Sequence, residues 1–204
     1  GLTALTPNAP RAYALAQQYR AAGIPVVLGG IHASALPDEA ARYVDAVVVG
    51  EAEGAWPRLL ADFEAGRLQA RYDGGFDALE SLAPPRRDLY PGGYFTEVAF
   101  TSNGCLGHCD FRSIWPFYHP CYPTRPVDAV VYELATLPAH KMVFRADDNR
   151  TLQPWRVIEI CQQLVKRGVR RRLAIQGAIA LADNADLLTW LKRAGCVYVF
   201  VGLE

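Results

Sequence analysis

Residues 28–54 read LGGIHASALPDEAARYVDAVVVGEAEG, and this stretch decides the fold class of the first part of the chain. It continues an apolar, β-branched run, Ile24–Leu28, which predicts a strand that enters a tight loop at two glycines. A helix is predicted over Pro37–Tyr43, and a second apolar strand over Asp45–Val49. Strands that alternate with helices predict an α/β fold built on a parallel sheet with right-handed crossovers.

The same alternation extends on both sides of this stretch. Before it, the pattern predicts a strand over Leu2–Leu5 and a helix over Arg11–Ala22, and after it a helix over Ala55–Gly66. Residues 71–95 contain Gly and Pro pairs and are predicted to be a linker. Beyond them, the predicted strands are Glu97–Phe100, Lys141–Arg145, Leu173–Gln176 and Val197–Val201, and the predicted helices between these strands are Val127–Leu137, Pro154–Arg167 and Asp186–Ala194.

The second half is too short for a complete barrel. Four predicted strands are fewer than the roughly eight that a closed (β/α) barrel needs. The sequence also stops at Glu204, directly after a predicted strand. We therefore expect a truncated or split chain, with open sheet edges that a partner chain or further residues cover.

The composition argues against several classes of function. The chain has 204 residues with 21 basic and 21 acidic side chains, and this balance argues against a broad nucleic-acid-binding surface. No run of about eighteen apolar residues predicts a membrane span, and residues 1–10 lack the pattern of a signal peptide. Five cysteines, an odd number, do not suggest a disulfide framework, so we expect a cytoplasmic protein.

The glycines at the strand ends are candidates for ligand binding. Open parallel sheets bind ligands at the carboxyl ends of their strands, and glycine lets the backbone approach a ligand closely. The alternative is that Gly29, Gly30 and Gly50 only form tight turns between a strand and a helix. The sequence pattern alone leaves both interpretations open.

The segments GGIHASALPDEA (29–40) and DAVVVGEAEG (45–54) resemble the second half of the B12-binding domain that precedes many radical SAM domains. The resemblance covers residues 1–70 and implies the C-terminal part of a Rossmann-like, flavodoxin-like domain. It implies that the nucleotide tail of cobalamin lies along Thr3, Thr6, Gly29, Gly30 and Gly50, with His32 at the same edge. The Asp-x-His-x-x-Gly loop that donates a histidine to cobalt in this family has no counterpart here. We expect His32 to satisfy local backbone groups instead of ligating cobalt.

A second resemblance lies in residues 101–113, TSNGCLGHCDFRS, which follow the first predicted strand of the second half. Their framework resembles the radical SAM loop, in which three cysteines bind a 4Fe-4S cluster and the open fourth iron binds S-adenosylmethionine. Thiolates are the soft anionic ligands that such clusters favour. The resemblance covers residues 96–204 and implies the N-terminal part of a radical SAM (β/α) barrel, with Cys105 and Cys109 as cluster ligands.

The third position of this motif holds Arg112, whose guanidinium has no lone pair to offer iron. Three interpretations stay open. The cluster is lost, Cys121 in the same loop replaces the third ligand, or Arg112 is a change in an otherwise active protein. Zinc bound by Cys105, Cys109, His108 and His119 is a further alternative, although their spacing matches no standard zinc pattern.

The resemblance also implies residues that lie near S-adenosylmethionine. They are Phe111, Asp147, Asp148, Gln176 and Glu204, which belong to the cysteine loop or to the ends of predicted strands. Catalytic side chains of barrels gather at the carboxyl ends of the strands. The alternatives are a core position for Phe111 and capping of the following helix by the Asp pair.

The chemistry implied by the resemblance is radical methylation or oxidative rearrangement of an unreactive carbon in a small, hydrophobic substrate. Residues 112–118 resemble the group that includes the anaerobic cyclase of bacteriochlorophyll synthesis and the hopanoid methylases. Arg112 leaves open whether the chain is an active enzyme, and no catalytic side chain is identified. The alternative is an inactive paralogue that acts as a structural or interaction subunit. A plain nucleotide-binding α/β protein would explain the glycines but not the loop around Cys105.

Overall fold

Two four-stranded parallel sheets organise the chain, each in its own unit. The computed structural model describes residues 1–75, 79, 82–90, 93–105, 122–147 and 153–202. The two units are Gly1–Asp77 and Ala78–Glu204. Neighbouring strands within both sheets run parallel, which confirms the α/β class expected from the sequence.

The sheet of the first unit has the order β1-β2-β3-β4. Its strands are β1 Leu2–Thr3, β2 Val27–Gly29, β3 Ala46–Val49 and β4 Arg71–Asp73, and its helices are α1 Ala9–Ala21, α2 Ile31–Ala35, α3 Pro37–Ala40 and α4 Ala52–Glu64. Ala46 and Val48 pack with α4, whereas Val47 packs with the three helices before it. Neighbouring residues of a strand point to opposite faces, so helices cover both faces of this sheet.

Two features of the first unit differ from the sequence-based expectation. β4 lies inside residues 71–95, which were predicted as linker, and it pairs with β3. Its sequence is Arg-Tyr-Asp with only Tyr72 buried, so no apolar run marks it as a strand. α2 begins directly after Gly30 and places His32 on a helix, while the helix predicted over Pro37–Tyr43 ends at Ala40.

The sheet of the second unit has the order β5-β6-β7-β8. In the described part of the chain, one α-helix lies between each pair of consecutive strands. The strands are β5 Thr96–Ala99, β6 Met142–Arg145, β7 Arg172–Gly177 and β8 Cys196–Val201, and the helices are α5 Val127–Thr136, α6 Pro154–Lys166 and α7 Ala185–Arg193. These elements agree closely with the apolar runs and amphipathic patterns of the sequence.

The two faces of the second sheet differ in their surroundings. One face packs against the three helices in a single core that includes Leu134, Val143 and Ile160. The other face leaves apolar side chains exposed, as at Val98, which is 53% exposed. The strand β8 at the end of the sheet exposes apolar side chains on both of its faces along Val197–Val201. A piece of a (β/α) barrel has this asymmetry, because the face away from the helices lines the barrel interior.

Within the described residues, no helix combines the length and the apolar character that a membrane span requires.

Candidate functional site

The carboxyl ends of β1, β2 and β3 bring the residues predicted to lie along cobalamin to one edge of the first unit. These residues are Thr3, Thr6, Gly29, Gly30, His32 and Gly50. Both threonines are exposed. Backbone bonds from Ala4 N to Gly29 O, 3.2 Å, and from His32 N to Ala4 O, 3.1 Å, hold the segment after β1 against the loop after β2. The edge therefore carries two exposed threonines beside loops that backbone hydrogen bonds hold together.

Ser34, which was not among the predicted site residues, joins two loops of this edge. Its hydroxyl donates to Gly30 O and accepts from Gly50 N, both at 2.9 Å. One side chain thus ties the loop after β2 to the loop after β3. The available signal was a serine four residues after a strand-end glycine, where a hydroxyl can bond to nearby backbone groups.

Internal packing accounts for two of the candidate glycines. Gly30 has a φ of +93°, and a Cβ there would lie 2.5 Å from Thr3 Oγ1. Gly50 has a φ of +82°, and a Cβ there would lie 2.8 Å from Gly74 O. Both positions require glycine for the turn itself, as the turn interpretation proposed. Gly29 differs, since a Cβ there would meet Val48 Cβ at an ordinary 3.6 Å.

Gly50→Ala is expected to destabilise the first unit by about 2–4 kcal/mol, because positive-φ strain adds to a clash with a backbone oxygen. Gly66 is the matched control, with a φ of +69° and nothing within 4 Å of an added Cβ. Gly66→Ala should therefore cost only about 1 kcal/mol of backbone strain. Hydrogen exchange read by mass spectrometry on peptides of the first unit measures both losses, and equal losses would contradict the steric argument.

His32 is buried, with 3% of its surface exposed, and both of its ring nitrogens have side-chain partners. Nε2 lies 2.9 Å from Tyr13 Oη, and Nδ1 lies 3.2 Å from Thr6 Oγ1. Glu39 Oε1 is 3.5 Å from Nε2. Side chains therefore hold the His32 ring, in place of the local backbone groups expected from the sequence.

In the second unit, two short segments close the base of the cysteine loop. We call them the loop neck, residues 101–103 and 122–125. Asn103 N donates to Pro123 O at 3.1 Å, and Arg125 N donates to Thr101 O at 2.8 Å. Cys105 lies two residues beyond the neck and is 6% exposed. The other candidates in the loop, which are Cys109, Phe111, Arg112, Cys121, His108 and His119, lie outside the described residues.

Asp147 binds the loop neck from the end of β6. It is fully buried. One carboxylate oxygen accepts from Thr101 N and, at 3.3 Å, from Ser102 N. The other accepts from Thr101 Oγ1 at 2.7 Å. Asp147 is thus a loop anchor in the described structure and not a cap of α6, while Asp148 lies outside the described residues.

Two buried arginines complete this anchor. Arg156 of α6 donates to Thr101 Oγ1 at 3.1 Å, to Thr101 O at 3.2 Å and to Arg125 O, so it reaches both strands of the neck. Arg145 of β6 reaches Thr101 Oγ1 at 3.4 Å. Burial lowers the pKa of both arginines, and the charge of Asp147 opposes that shift. An arginine in the first turn of a helix, where cations are disfavoured, was the only sequence signal for Arg156.

Glu133 of α5 extends the buried charges away from the neck. It is 2% exposed and pairs with Arg125 of the neck and with Arg87, whose Nη2 lies 2.5 Å from Oε1. Arg87 also lies 3.4 Å from Glu97, which Lys141 binds at 2.6 Å. Alternating charges therefore connect the segment before β5, the start of the sheet and the loop neck.

The remaining candidates are spread along the second sheet. Gln176 is half-buried near the end of β7, and Glu204 lies outside the described residues.

Burial raises the pKa of the Cys161 thiol to about 11, which keeps it protonated. Among the described residues, no group of three or more His, Cys, Asp or Glu side chains could hold a metal ion.

Comparisons with known proteins agree with both halves of the fold. Residues 1–60 match the family described as the B12 binding domain. The whole chain is 32% identical, over 225 residues, to bacteriochlorophyllide d C-8(2)-methyltransferase of Chlorobaculum tepidum, of which it covers 49%. It is 27% identical to anaerobic magnesium-protoporphyrin IX monomethyl ester cyclase of Rubrivivax gelatinosus, of which it covers 43%. The chain therefore spans about half the length of these curated relatives.

A solved structure shows the same fold. The radical S-adenosylmethionine methyltransferase TsrM from Kitasatospora setae, with cobalamin and a 4Fe-4S cluster bound, superposes with a TM-score of 0.80 at 20% identity. The match covers 97% of this chain and 46% of TsrM. At this identity the likeness concerns the fold alone, and it supports a Rossmann-like domain followed by a partial barrel.

Proposed function

Because the chain belongs to the family of radical SAM proteins that carry a B12-binding domain, we propose that its first unit binds cobalamin. We also propose that Arg112 disables cluster binding in its second unit. The proposal assigns residues 1–77, which include β4, to the C-terminal part of the B12-binding domain, 78–95 to a linker and 96–204 to the N-terminal part of the barrel. The similarity of the whole chain to about half of a methyltransferase carries the family assignment. The guanidinium of Arg112 at the third motif position carries the loss of cluster binding.

The edge of the first unit suits a polar nucleotide tail. Thr3 and Thr6 are exposed beside two strand-end loops, and Ser34 holds those loops together. Backbone groups and hydroxyls of this kind bind ribose, amide and phosphate groups without a charged side chain. When bound, cobalamin would supply a cobalt centre able to carry a methyl group.

The donor set of the second unit does not fit a 4Fe-4S cluster. The motif positions supply two thiols, Cys105 and Cys109, and then the guanidinium of Arg112, which cannot ligate iron. The buried charges around the loop neck nevertheless hold the base of the loop, two residues before the buried Cys105. An active protein of this family, with its cluster bound, would methylate or oxidatively rearrange an unreactive carbon of a small, hydrophobic substrate in the presence of S-adenosylmethionine.

Arg112→Cys is expected to restore iron binding. After anaerobic reconstitution with iron and sulfide, the wild-type chain should retain well under about one iron per chain, and the variant about four, with the absorption of a 4Fe-4S cluster. Arg112→Ser is the matched control, because it removes the guanidinium without adding a thiolate, and it should stay free of iron. A stoichiometric cluster in the wild-type chain would overturn this part of the proposal, and its loss in Cys121→Ser would identify Cys121 as the third ligand.

The second candidate function is a structural or interaction subunit without catalysis. The observation that favours it is the exposed apolar run Val197–Val201 of β8, a surface suited to contact with another chain. An Arg112→Cys chain that binds a cluster but does not cleave S-adenosylmethionine would favour this second function. Cleavage to 5′-deoxyadenosine would favour an enzyme disabled at one residue.

A cytoplasmic location of the protein stays a prediction.

A further inference from the structure

His32 is a buried, titratable side chain beside the cobalamin edge that the proposed function leaves without a role. It lies between Tyr13, whose Oη is 2.9 Å from Nε2, and Thr6, whose Oγ1 is 3.2 Å from Nδ1. Tyr13 in turn reaches Glu39, so four side chains form one continuous row of hydrogen bonds. The row ends at Thr6, which is exposed at the edge where the ligand would lie.

The direction of these hydrogen bonds follows from the number of protons on each group. Tyr13 Oη donates to Glu39 Oε1 at 2.9 Å, and an ionised carboxylate can only accept. Burial, and then the hydrogen bond and charge of Glu39, raise the pKa of Tyr13 to about 12, so the phenol keeps its proton at neutral pH. A phenol has a single proton, and it is already given to Glu39. Tyr13 Oη must therefore accept from Nε2–H of His32.

When the His32 ring is neutral, the same count also fixes the role of Thr6. A neutral imidazole carries one N–H, and with that proton on Nε2 the Nδ1 atom is an acceptor. Thr6 Oγ1 then donates its only proton to Nδ1, over the observed 3.2 Å. The remaining lone pairs of this hydroxyl can then accept hydrogen bonds.

We propose that the row Glu39–Tyr13–His32–Thr6 is a positioning relay that makes the Thr6 hydroxyl a hydrogen-bond acceptor toward the bound ligand. This inference rests on the proposed binding of cobalamin by the first unit. The relay selects a donor group of the ligand, an amide N–H or a ribose hydroxyl, over a phosphate oxygen. His32 acts through Thr6 and is a positioning residue.

The proton order is tested without any ligand by nitrogen NMR of the full chain labelled at its four histidines. His32→Gln assigns the resonance of His32 by its disappearance. We expect a protonated Nε2 and an unprotonated Nδ1 in the wild-type chain at neutral pH. A proton on Nδ1, in either the other tautomer or the imidazolium, would overturn the relay.

The effect on the ligand is tested by titration with hydroxocobalamin. Thr6→Val, which keeps the shape but loses the acceptor, should weaken binding about five- to tenfold, and Thr6→Ser should stay within about twofold of the wild type. Cobinamide, which lacks the nucleotide tail, separates the two donor sources. If Thr6→Val also weakens the binding of cobinamide, the donor on the ligand is an amide. If Thr6→Val leaves the binding of cobinamide unchanged, the donor is the ribose hydroxyl.

The outcomes of the titration separate the two proposals. Unchanged affinity of Thr6→Val for both ligands, with normal wild-type binding, would overturn the relay's role and leave the proposed function standing. A wild-type chain that binds neither ligand would instead overturn the proposed function of the first unit and, with it, the selection of a ligand donor. In that case the NMR result alone still decides the proton order.

Discussion

Asp147→Ala is expected to lower the free energy of unfolding of the second unit by about 3–5 kcal/mol, the range for removing one partner from a buried ionic group. The carboxylate binds the loop neck at Thr101 and Ser102. It is also the anion beside Arg145, whose Nε and Nη1 have no hydrogen-bond partner in the described structure. Its loss leaves buried positive charge with less compensation. Hydrogen exchange of peptides from the second unit measures the change.

Asp147→Asn is the matched variant for this test. It keeps one oxygen that can accept from Thr101 N but removes the negative charge, so its loss should be smaller, at about 1–3 kcal/mol. Limited proteolysis adds a local measure, since a loosened neck should expose the segment after Thr101 to cleavage first. A loss below about 1 kcal/mol in Asp147→Ala would show that other groups anchor the loop.

Glu133→Ala is the second change with a large expected effect, also about 3–5 kcal/mol. Glu133 is 2% exposed and serves as the shared anion of Arg87 and Arg125. Without it, two arginines remain in a poorly solvated region, and the segment before β5 loses its attachment to α5. Thermal unfolding and hydrogen exchange of peptides from α5 both measure the loss.

The same helix provides the control for Glu133. Asp128 forms an ion pair with Arg167 at 3.0 Å, but these side chains are 80% and 44% exposed. Asp128→Ala should therefore change stability by less than about 1 kcal/mol, because solvent screens exposed ion pairs. Similar losses in the two variants would mean that burial does not strengthen the Glu133 pairs.

Regular elements with an apolar run could be predicted from the sequence to within a few residues. β3 is predicted by Asp45–Val49 and observed at Ala46–Val49, and α6 is predicted over Pro154–Arg167 and observed at Pro154–Lys166. β4 escaped prediction because two of its three residues are charged and it is a strand only through its pairing with β3. Local patterns reveal burial, but they do not reveal which distant segment supplies a partner.

The turns at the strand ends of the candidate site could be predicted from the sequence. The buried hydrogen bonds and ion pairs between distant segments could not. Gly30 and Gly50 could be placed in strand-end turns because glycine directly after a strand is typical of such turns, whereas their part in ligand binding stays a prediction. Arg156 was missed because an arginine on an amphipathic helix usually faces solvent, whereas this one is 6% exposed and bonds to Thr101 and Arg125. Such a role depends on three segments that are far apart in the chain.

Ser34 affects the energetics of recognition as well as the structure. Its two 2.9 Å hydrogen bonds hold the loops after β2 and β3 in one arrangement in the free protein. A ligand that meets loops already in place does not have to order them, so less conformational entropy is lost on binding. Association should then be limited by encounter and orientation, with little slow rearrangement, and the free and bound loops should superpose closely.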